Sequence, residues 1–528
     1  MILNAGNSTF KRALKADYVD KSMFIAYVNS FVDSEEFCLC VSRGRRFGKS
    51  LTAKMLNAYY SKGADSKSIF DNLEISKDPS YLENLNKYDV MYFDMQAYGK
   101  KDEDGSYFLN NLTQAVIESL KKSYPSELKD QDFSCMEDAI SFAYEVLDSK
   151  FIVIIDEWDF VFRNYPNNQK LQEDYIDLLS SLFKETQMSD CFSLVYMTGI
   201  LPIKRYSDQS KLNNFFELSM LYTAGMGKYF GFTPSEVQAL CQKHNIDFEK
   251  TKYWYDGYRL DGEDIYNPQA IKYLIKNHGI FQDFWTKTAS MDAVYDCIGR
   301  NFDGVKESII DLVAGNSLTN VNFNNPHLDP NNFCKRDDVL IYMIYLCYLA
   351  YDKQTHSVYV PNNEVRENLR ESLDELKWPL YEETLKISDE LLQATLDKDC
   401  DKVASIIASI HNKYSSFIDY ATESSIKHAT LLGYLSALKT YDEPKLEAKG
   451  GLGYADVVFT PNPAKGIGKP ALIIEFKKDK SAEVALKQII DKGYIDAVKG
   501  TSKKALLIGV SFDSKTKEHS CVINEIDL

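Results

Sequence analysis

The pattern most capable of chemistry lies at residues 43–50, Arg-Gly-Arg-Arg-Phe-Gly-Lys-Ser. An apolar run over residues 37–41 predicts a buried strand before it, and residues 51–60 predict a helix after it. A strand, a glycine-containing turn, Gly-Lys-Ser and a helix form the context of a phosphate-binding loop. Backbone N–H groups and the helix dipole attract an anion there. We therefore expect Lys49 to reach the β- and γ-phosphates of a nucleotide and Ser50 to bind Mg²⁺.

One position of this loop departs from the usual motif. The first glycine of that motif belongs where Arg43 stands, and Gly44 comes one place late. The turn is therefore expected to differ in shape from the common one. The alternative interpretation is a basic strand-to-helix turn that binds nothing.

A second pattern, Phe-Ile-Val-Ile-Ile-Asp-Glu, occupies residues 151–157. Its apolar, β-branched run favours a central parallel strand that is covered on both faces. Its two acids fall where ligands bind in open α/β sheets. Asp156 is expected to hold the Mg²⁺ shell, and Glu157 is expected to polarise the attacking water. A helix N-cap acid beside a surface acid is the alternative.

A third buried strand, residues 192–199, ends near Thr198, which can sense a γ-phosphate or orient water. An ordinary strand end is the alternative. Arg205 follows and can complete the site within the chain or across a subunit interface, or serve only as a solvated surface residue. The predicted nucleotide-binding residues are Arg45, Arg46, Phe47, Gly48, Lys49, Ser50, Leu51, Asp156 and Thr198.

These stretches, together with Val-Asp-Lys-Ser at 19–22 and Met-Thr-Gly-Ile at 197–200, closely resemble the AAA-ATPase-like family of bacterial proteins. Members of that family typically carry Ser-Arg-Pro-Arg-Arg-Phe-Gly-Lys-Ser at the loop, so Arg43 follows the family habit and Gly44 replaces a proline. The resemblance implies a P-loop ATPase core that binds ATP and Mg²⁺. It continues at residues 254–258, from Trp254 to Tyr258, and at 266–268, where the residues themselves suggest only aromatic packing at a helix end and a turn.

The C-terminal segment carries a separate constellation. Residues 454–459 and 471–477 predict two strands, the first with Asp456 near its start and the second ending Glu-Phe-Lys. Glu475 and Lys477 share one face of a strand, so Asp456 on a neighbouring strand would bring two carboxylates and an ammonium together. Carboxylates bind Mg²⁺, which can activate water against a phosphodiester. Glu423, at the start of an upstream helix, is a candidate third acid, and an ordinary exposed strand face is the alternative.

The spacing of Asp456, Glu475 and Lys477 resembles the PD-(D/E)XK nuclease superfamily. The neighbourhood, Gly-Gly-Leu-Gly-Tyr-Ala-Asp at 450–456 and Ile-Ile-Asp-Lys-Gly-Tyr at 489–494, resembles the nuclease-like domain that is often fused to this ATPase. There the upstream helix usually continues from its Glu to an aromatic residue and Tyr-His, whereas this chain has Lys427 before His428. The resemblance implies a nuclease site in which Asp456 and Glu475 are catalytic residues and metal ligands, and Glu423 is a further candidate metal ligand. Lys477 would hold the water or the phosphate.

Composition bounds these hypotheses. The chain has 528 residues, 45% of them hydrophobic and 26% charged, which is ordinary for a soluble protein of two to four domains. The net charge of −16 argues against wholesale binding to nucleic acid, but residues 423–528 alone carry a slight positive excess. Scattered cysteines in apolar segments, no membrane-length apolar run and no secretory signal pattern predict a cytoplasmic protein.

We predict an α/β protein in three parts: a P-loop NTPase domain with a parallel sheet flanked by helices (1–235), a mostly helical middle with a winged-helix-like unit as one option (236–415), and a restriction-endonuclease-like α/β domain (416–528). A polar loop near residues 324–332 marks a candidate boundary, and the apolar run from Val339 to Tyr351 predicts a helix after it. The expected function is ATP hydrolysis coupled to Mg²⁺-dependent cleavage of DNA or RNA, with a homo-oligomer left open. The alternatives are a nucleotide-dependent switch whose last domain only binds nucleic acid or protein, and a live ATPase with a purely structural nuclease-like domain.

Overall fold

The computed structural model describes residues 1–99, 104–203, 211–284, 299, 302–324, 328, 332–376, 379–414 and 422–528. Arg205 and much of the polar loop predicted near 324–332 lie outside these residues. The chain divides into two compact units. One comprises Met1–Asp303 and Val321–His356, and the other comprises Gly304–Asn320 and Ser357–Leu528. The three predicted domain ranges remain predictions.

The described helices follow one another along the chain as listed here: α1 Ser8–Ala13, α2 Phe24–Asn29, α3 Lys49–Tyr60, α4 Lys67–Phe70, α5 Tyr81–Asn84, α6 Gln96–Gly99, α7 Phe108–Ser123, α8 Pro125–Leu128, α9 Met136–Leu147, α10 Phe160–Asn164, α11 Gln169–Phe183, α12 Thr186–Ser189, α13 Pro234–His244, α14 Phe248–Tyr255, α15 Pro268–Lys276, α16 Val305–Val313, α17 Arg336–Tyr345, α18 Asn363–Leu376, α19 Pro379–Leu396, α20 Cys400–Tyr414, α21 Glu423–Gly433 and α22 Ala482–Asp491. Across the described ranges, none of these helices combines the length and apolarity that crossing a membrane requires.

The first unit is built on a six-stranded sheet with the order β1-β3-β4-β5-β2-β6. Its neighbouring strands are parallel except for β1, which pairs antiparallel with β3. The strands are β1 Ile2–Leu3, β2 Cys38–Ser42, β3 Asp89–Asp94, β4 Phe151–Asp156, β5 Phe192–Gly199 and β6 Phe216–Leu218. Two short hairpin strands, β7 Tyr258–Leu260 and β8 Glu263–Ile265, and one further strand, β9 Ala350–Asp352, complete the unit.

Alternate residues of β4 pack on opposite faces of this sheet, as the period of a strand requires. Phe151, Val153 and Ile155 belong to one buried apolar cluster, and Ile152 and Ile154 belong to another. Helices therefore cover both faces, and the polar groups at the strand ends are confined to the edges. This arrangement confirms the predicted α/β fold with a parallel sheet.

The second unit contains a five-stranded sheet with the order β11-β12-β13-β14-β15. Only β13 and β14 are parallel. Its strands are β10 Ser357–Tyr359, which lies outside that sheet, and β11 Lys445–Gly450, β12 Gly453–Phe459, β13 Ala471–Lys478, β14 Lys504–Phe512 and β15 His519–Asp527. One face of the sheet is buried with α19, α20 and α21, and the other is buried with α22. This mixed α/β unit confirms the architecture predicted for the C-terminal part.

One local prediction is wrong. The apolar run from Val339 to Tyr351 predicts a single helix, but α17 ends at Tyr345 and β9 begins at Ala350. Cys347 between them has a φ of 66°, in the left-handed region that ends a helix. A uniformly apolar run carries no periodicity that would reveal this break.

Candidate functional site

The loop between β2 and α3 has the backbone of an anion-binding turn. Gly48 has a φ of 91° and Arg46 has a φ of 71°, so both lie in the left-handed region immediately before the first turn of α3. Glycine adopts that conformation without steric cost. The turn therefore presents its N–H groups at the helix N-terminus, where the dipole favours negative charge.

The departure from the usual motif has a structural counterpart. Arg43 is fully buried, its guanidinium carbon lies 5.5 Å from the ring centroid of Phe230, and one nitrogen donates to the Ser42 carbonyl at 3.1 Å. Burial lowers the pKa of Arg43 to about 10. Arg43 thus supports the loop from beneath. Among the loop residues, Arg45 is the first that lines the cavity above the loop.

Lys49 lies at the floor of the loop. Its ammonium donates to the carbonyl oxygens of Arg43 at 2.8 Å and Gly44 at 2.7 Å. Burial lowers the pKa of Lys49 to about 8, and the nearby carboxylates of Asp159 and Asp156 oppose that shift. Lys49 therefore fixes the two ends of the loop to each other from a position near Asp156, at the end of β4, and Asp159.

A cavity of about 580 Å³ opens above this loop. Seven of the predicted nucleotide-binding residues line it, and so does Glu157; the seven are Arg45, Arg46, Phe47, Gly48, Lys49, Ser50 and Leu51. Tyr18, Tyr229 and Tyr273 add aromatic surface to the same cavity. Its size and its mixture of aromatic and basic groups suit a small ligand with an aromatic ring and an anionic tail.

Asp156 ends β4 directly opposite Asp94 on β3 and Thr198 on β5. It is 5% exposed, and its Oδ1 atom has no hydrogen-bond partner. Burial raises the pKa of Asp156 to about 6, and hydrogen bonding to Ser50 and the charge of Lys49 oppose that rise. A buried carboxylate oxygen without a partner beside a serine hydroxyl fits the hard oxygen ligands that Mg²⁺ takes.

Glu157 and Asp159 are joined by an arginine that sequence reasoning missed. Arg163 on α10 donates from Nη2 to Glu157 Oε2 at 3.0 Å and from Nε to Asp159 Oδ2 at 3.1 Å. Asp159 is fully buried and also accepts the backbone N–H groups of Ile200 and Leu201 at 3.0 Å each. The spacing of Asp159 and Arg163, four residues apart at the start of a helix, is the signal that could have found this pair.

Thr198 lies inside the sheet, next to the residues at the end of β5 that line the cavity. Its hydroxyl donates to the Val41 carbonyl at 3.0 Å, and its side chain is fully buried between β5 and β2. The cavity is instead lined by the next two residues, Gly199 and Ile200. Direct contact of Thr198 with a nucleotide remains a prediction.

The stretches at 254–258 and 266–268 support the loop. The Tyr258 ring meets the buried Phe47 ring edge-on, with centroids 5.2 Å apart, and the Tyr258 hydroxyl donates to the Cys347 carbonyl at 2.8 Å. Asn267 caps α15 through the N–H of Gln269 and donates to the Arg45 carbonyl at 3.3 Å. These residues therefore fix the conformation of the loop from outside the strand and helix that carry it.

In the second unit, the structure brings Asp456, Glu475 and Lys477 together as predicted. β12 and β13 pair with Val457 opposite Ile474, which puts Asp456 and Glu475 at the next opposed positions. Asp456 Oδ2 accepts the N–H of Phe476 at 2.8 Å, and Lys477 Nζ donates to Glu475 Oε1 at 2.9 Å. Two carboxylates and an ammonium thus converge where the pairing of β12 with β13 ends.

Glu475 has the environment of a metal-binding carboxylate. It is 2% exposed, Oε1 accepts from Lys477 and Gln488, and Oε2 is buried with no hydrogen-bond partner. Burial and the adjacent charge of Asp456 raise the pKa of Glu475 to about 7, against the opposing effect of Lys477. The residues present therefore fit a divalent cation between Asp456 and Glu475.

Lys427 is the second residue that sequence reasoning did not assign. Its ammonium lies 2.8 Å from Asp456 Oδ1 and also pairs with Glu447. Burial lowers the pKa of Lys427, but its hydrogen bonds to Asp456 and Glu447 outweigh that effect, so its pKa is raised. Glu423, at the exposed start of α21, is not brought into this group, and no three His, Cys, Asp or Glu side chains gather as metal ligands anywhere in the described ranges.

Comparison with known proteins identifies both regions. Residues 5–207 match the family model of predicted AAA-ATPases, and residues 423–521 match that of the PD-(D/E)XK nuclease superfamily. The chain thus contains one region similar to AAA-ATPase-like domains and one region similar to nuclease-superfamily domains. Both matches confirm the resemblance predicted from the sequence.

Individual relatives are distant. A protein described as uncharacterized, from the vnfD 5′ region of Azotobacter chroococcum mcd 1, is 21% identical over 98% of this chain and 97% of its own length. Among solved structures, the Aeropyrum pernix ORC1 protein in complex with DNA is 10% identical over 70% of this chain and 97% of that chain, with a TM-score of 0.29. The Aeropyrum pernix ORC2 protein is also 10% identical, over 70% of this chain and 98% of that chain, with a TM-score of 0.32.

Proposed function

We propose that the first unit binds and hydrolyses Mg·ATP. The observation that carries this proposal is the cavity above the loop, where the N-terminus of α3, Lys49 and Glu157 meet. Bound Mg²⁺ would neutralise phosphate charge and would be held by Ser50 and Asp156, whose unpartnered oxygen supports that assignment. The free thiols of this unit, buried at Cys38 and Cys40, suit a reducing cytoplasm.

Each residue has a defined task in this proposal. The N–H groups of the loop and Lys49 hold the phosphates, and the aromatic surface at Tyr18 and Tyr229 receives the base. Glu157 accepts a hydrogen bond from the attacking water and thereby orients it. Arg163 holds the Glu157 carboxylate at the edge of the cavity.

Substitution of Glu157 tests hydrolysis separately from binding. We expect Glu157→Gln to bind ATP about as tightly as the wild type and to lose turnover by roughly 100-fold or more, since a general base contributes 10²–10⁴-fold. Phosphate release under saturating ATP measures the turnover, and calorimetry measures the binding. Equal turnover in the two proteins would contradict the role of Glu157, and slow turnover in both with tight ADP retention would favour a nucleotide-dependent switch.

A second function is supported by Glu475. We propose that the second unit cleaves nucleic-acid phosphodiesters with Mg²⁺ held by Asp456 and Glu475, because one Glu475 oxygen is buried without a partner while the other accepts from Lys477. The metal would supply an activated water and stabilise the developing charge. Lys477 orients that water or the phosphate, and Gln488 holds the Glu475 carboxylate in place.

Plasmid, linear duplex and single-stranded substrates test this function with Mg²⁺ or Mn²⁺. Glu475→Ala/Lys477→Ala is the matched control, and cleavage by the wild type that is lost in this variant supports the proposal. An absence of cleavage on every substrate with ATP hydrolysis intact would overturn it in favour of a structural or binding role.

We further propose that ATP turnover governs the nuclease. The only support is the presence of both domains in one chain. Cleavage by Lys49→Ala, with and without ATP, tests the coupling. Cleavage that is identical to that of the wild type under both conditions would contradict it.

A further inference from the structure

The tip of the hairpin between β11 and β12 exposes two large side chains beside Asp456. Leu452 is 82% exposed and Tyr454 is 56% exposed. Tyr454 precedes Asp456 by two residues on β12, which corresponds to roughly 7 Å along a strand. These two exposed side chains offer an aliphatic and an aromatic surface for a ligand next to the proposed nuclease site.

The hairpin tip is held rigidly by close backbone packing. A side chain on Gly451 would stand 2.2 Å from the Lys492 carbonyl, and one on Gly450 would stand 2.8 Å from the Tyr494 carbonyl. The Leu452 N–H donates to the same Lys492 carbonyl at 2.7 Å. The exposure of Leu452 is therefore a property of a fixed turn.

The turn that holds the tip also contacts the carboxylate site. The Tyr494 hydroxyl accepts from Gln488 Nε2 at 3.0 Å, and the same amide donates to Glu475. Gly453 packs against the Tyr494 ring, because a Cβ atom added to Gly453 would stand 3.1 Å from that ring. One continuous set of contacts thus fixes the position of the tip relative to Glu475.

The charges around the tip favour a polyanion. Lys449 is exposed and lies directly opposite Tyr454 in the β11–β12 ladder. Lys427 and Lys477 flank the two carboxylates, and Lys492 is exposed on the turn beneath the tip. Phosphates are the groups that these ammonium ions would contact while an aromatic face takes a base.

We propose that the hairpin tip selects single-stranded or locally unpaired nucleic acid, with Tyr454 stacking on an unpaired base and Leu452 inserting between adjacent bases. This inference rests on the proposed nuclease site, because the tip would position the phosphodiester next to Asp456. Stacking on an aromatic face is tolerant of sequence, so the selection is for unpaired structure and not for a base. A fully paired duplex would have to be unstacked before it reached the site.

Binding is measured with the full chain by fluorescence anisotropy of a labelled mixed-sequence DNA oligonucleotide, single-stranded and as a duplex, with Ca²⁺ in place of Mg²⁺. We expect tighter binding to the single strand than to the duplex. Tyr454→Ala should weaken single-strand binding by roughly 5- to 100-fold, the range for loss of one base–aromatic stack. Tyr454→Phe should keep most of the affinity, and Leu452→Ala should reduce the preference for the single strand.

Ile467→Ala is the matched control, because Ile467 is 84% exposed in the turn at the other end of β12. It should bind both oligonucleotides as the wild type does. Equal binding by Tyr454→Ala and the wild type would overturn the inference. A Tyr454→Ala variant that changes its oligomeric state but not its DNA binding would overturn it as well. The assay measures binding without cleavage. Weakened binding by Tyr454→Ala therefore supports the inference even if the wild type cleaves no substrate. A wild type that cleaves no substrate would overturn only the proposed nuclease activity.

Discussion

A methyl group on Gly44 would stand 2.0 Å from the Sγ atom of Cys347, closer than any real contact allows. Cys347 itself has a φ of 66° and is fully buried behind the loop. Gly44, the glycine that comes one place late in the motif, is therefore required by Cys347, which lies some 300 positions later in the sequence. The shape of the phosphate-binding loop depends on that packing as well as on the local turn.

Gly44→Ala should weaken ATP binding by roughly 5- to 100-fold, because overpacking a buried site costs about 1–3 kcal/mol and the loop is the part that can shift. Cys347→Gly should bind ATP like the wild type, since glycine tolerates the left-handed backbone. The double variant Gly44→Ala/Cys347→Gly should recover the lost affinity. Equal weakening by the single and double variants, measured by calorimetry, would show that the contact is not the cause.

Asp159→Ala should lower the free energy of unfolding of the first unit by about 2–4 kcal/mol. The substitution leaves the N–H groups of Ile200 and Leu201 without an acceptor and removes one partner of the partly buried Arg163. Urea unfolding measures the change. Asp174→Ala is the matched control, because its ion pair with Lys170 is exposed and worth about 0–1 kcal/mol. Similar losses in the two variants would contradict this account of Asp159.

Lys427→Gln should increase the affinity of the nucleotide-free protein for Mn²⁺ by roughly three- to tenfold. The ammonium of Lys427 neutralises Asp456, and a partly exposed ion pair is worth about 1 kcal/mol. Calorimetric titration with Mn²⁺ measures the affinity, and Lys439→Gln, which removes a lysine from an exposed pair with Asp389, is the control. Unchanged or weaker Mn²⁺ binding by Lys427→Gln would show that the lysine does not compete for the carboxylate.

The second unit should lose stability in mild acid because of His411. His411 is buried, with its Nδ1 atom 2.9 Å from His519 Nε2 and its Nε2 atom 2.6 Å from Ser425 Oγ. Burial, and then the charges of His519 and Lys517, lower its pKa from 6.5 to about 4. The unfolded chain therefore binds a proton that the folded unit excludes, so the free energy of unfolding falls as the pH drops from about 6.5 to about 4.

The size of this effect should be a few kcal/mol, since each unit of pKa difference is worth about 1.4 kcal/mol. His411→Gln, which retains a hydrogen-bonding side chain without a titrating ring, should flatten the pH dependence of the urea midpoint. His356→Asn, at an exposed turn, should leave it unchanged. A slope that survives in His411→Gln would assign the acid sensitivity to other groups.

The parts of the two sites that local sequence could predict are those that lie on single strands and turns. The apolar run before Asp156 defines a buried strand whose end must carry the acid, and the two-residue period puts Glu475 and Lys477 on one face. Gly-Lys-Ser between a strand and a helix defines the loop in the same way. In each case the residues that act together are neighbours in the chain.

The parts that could not be predicted are contacts between distant segments. Tyr258 against Phe47, and Lys427 against Asp456, depend on how helices and loops pack on the sheets, which no local pattern specifies. The expected role of Glu423 illustrates the limit, because the start of α21 is exposed while Lys427, one turn later, reaches Asp456. One turn of a helix decides which residue meets the site.

Calorimetric titration of the full chain with Mg·ATP tests the central claim most directly. The account predicts binding by the wild type and by Lys477→Ala, and a loss of roughly 10- to 100-fold in Lys49→Ala, because a charged hydrogen bond to phosphate is worth about 1.5–3 kcal/mol. No binding by the wild type, or equal binding by Lys49→Ala, would contradict the assignment of the loop at residues 43–50 as the nucleotide site.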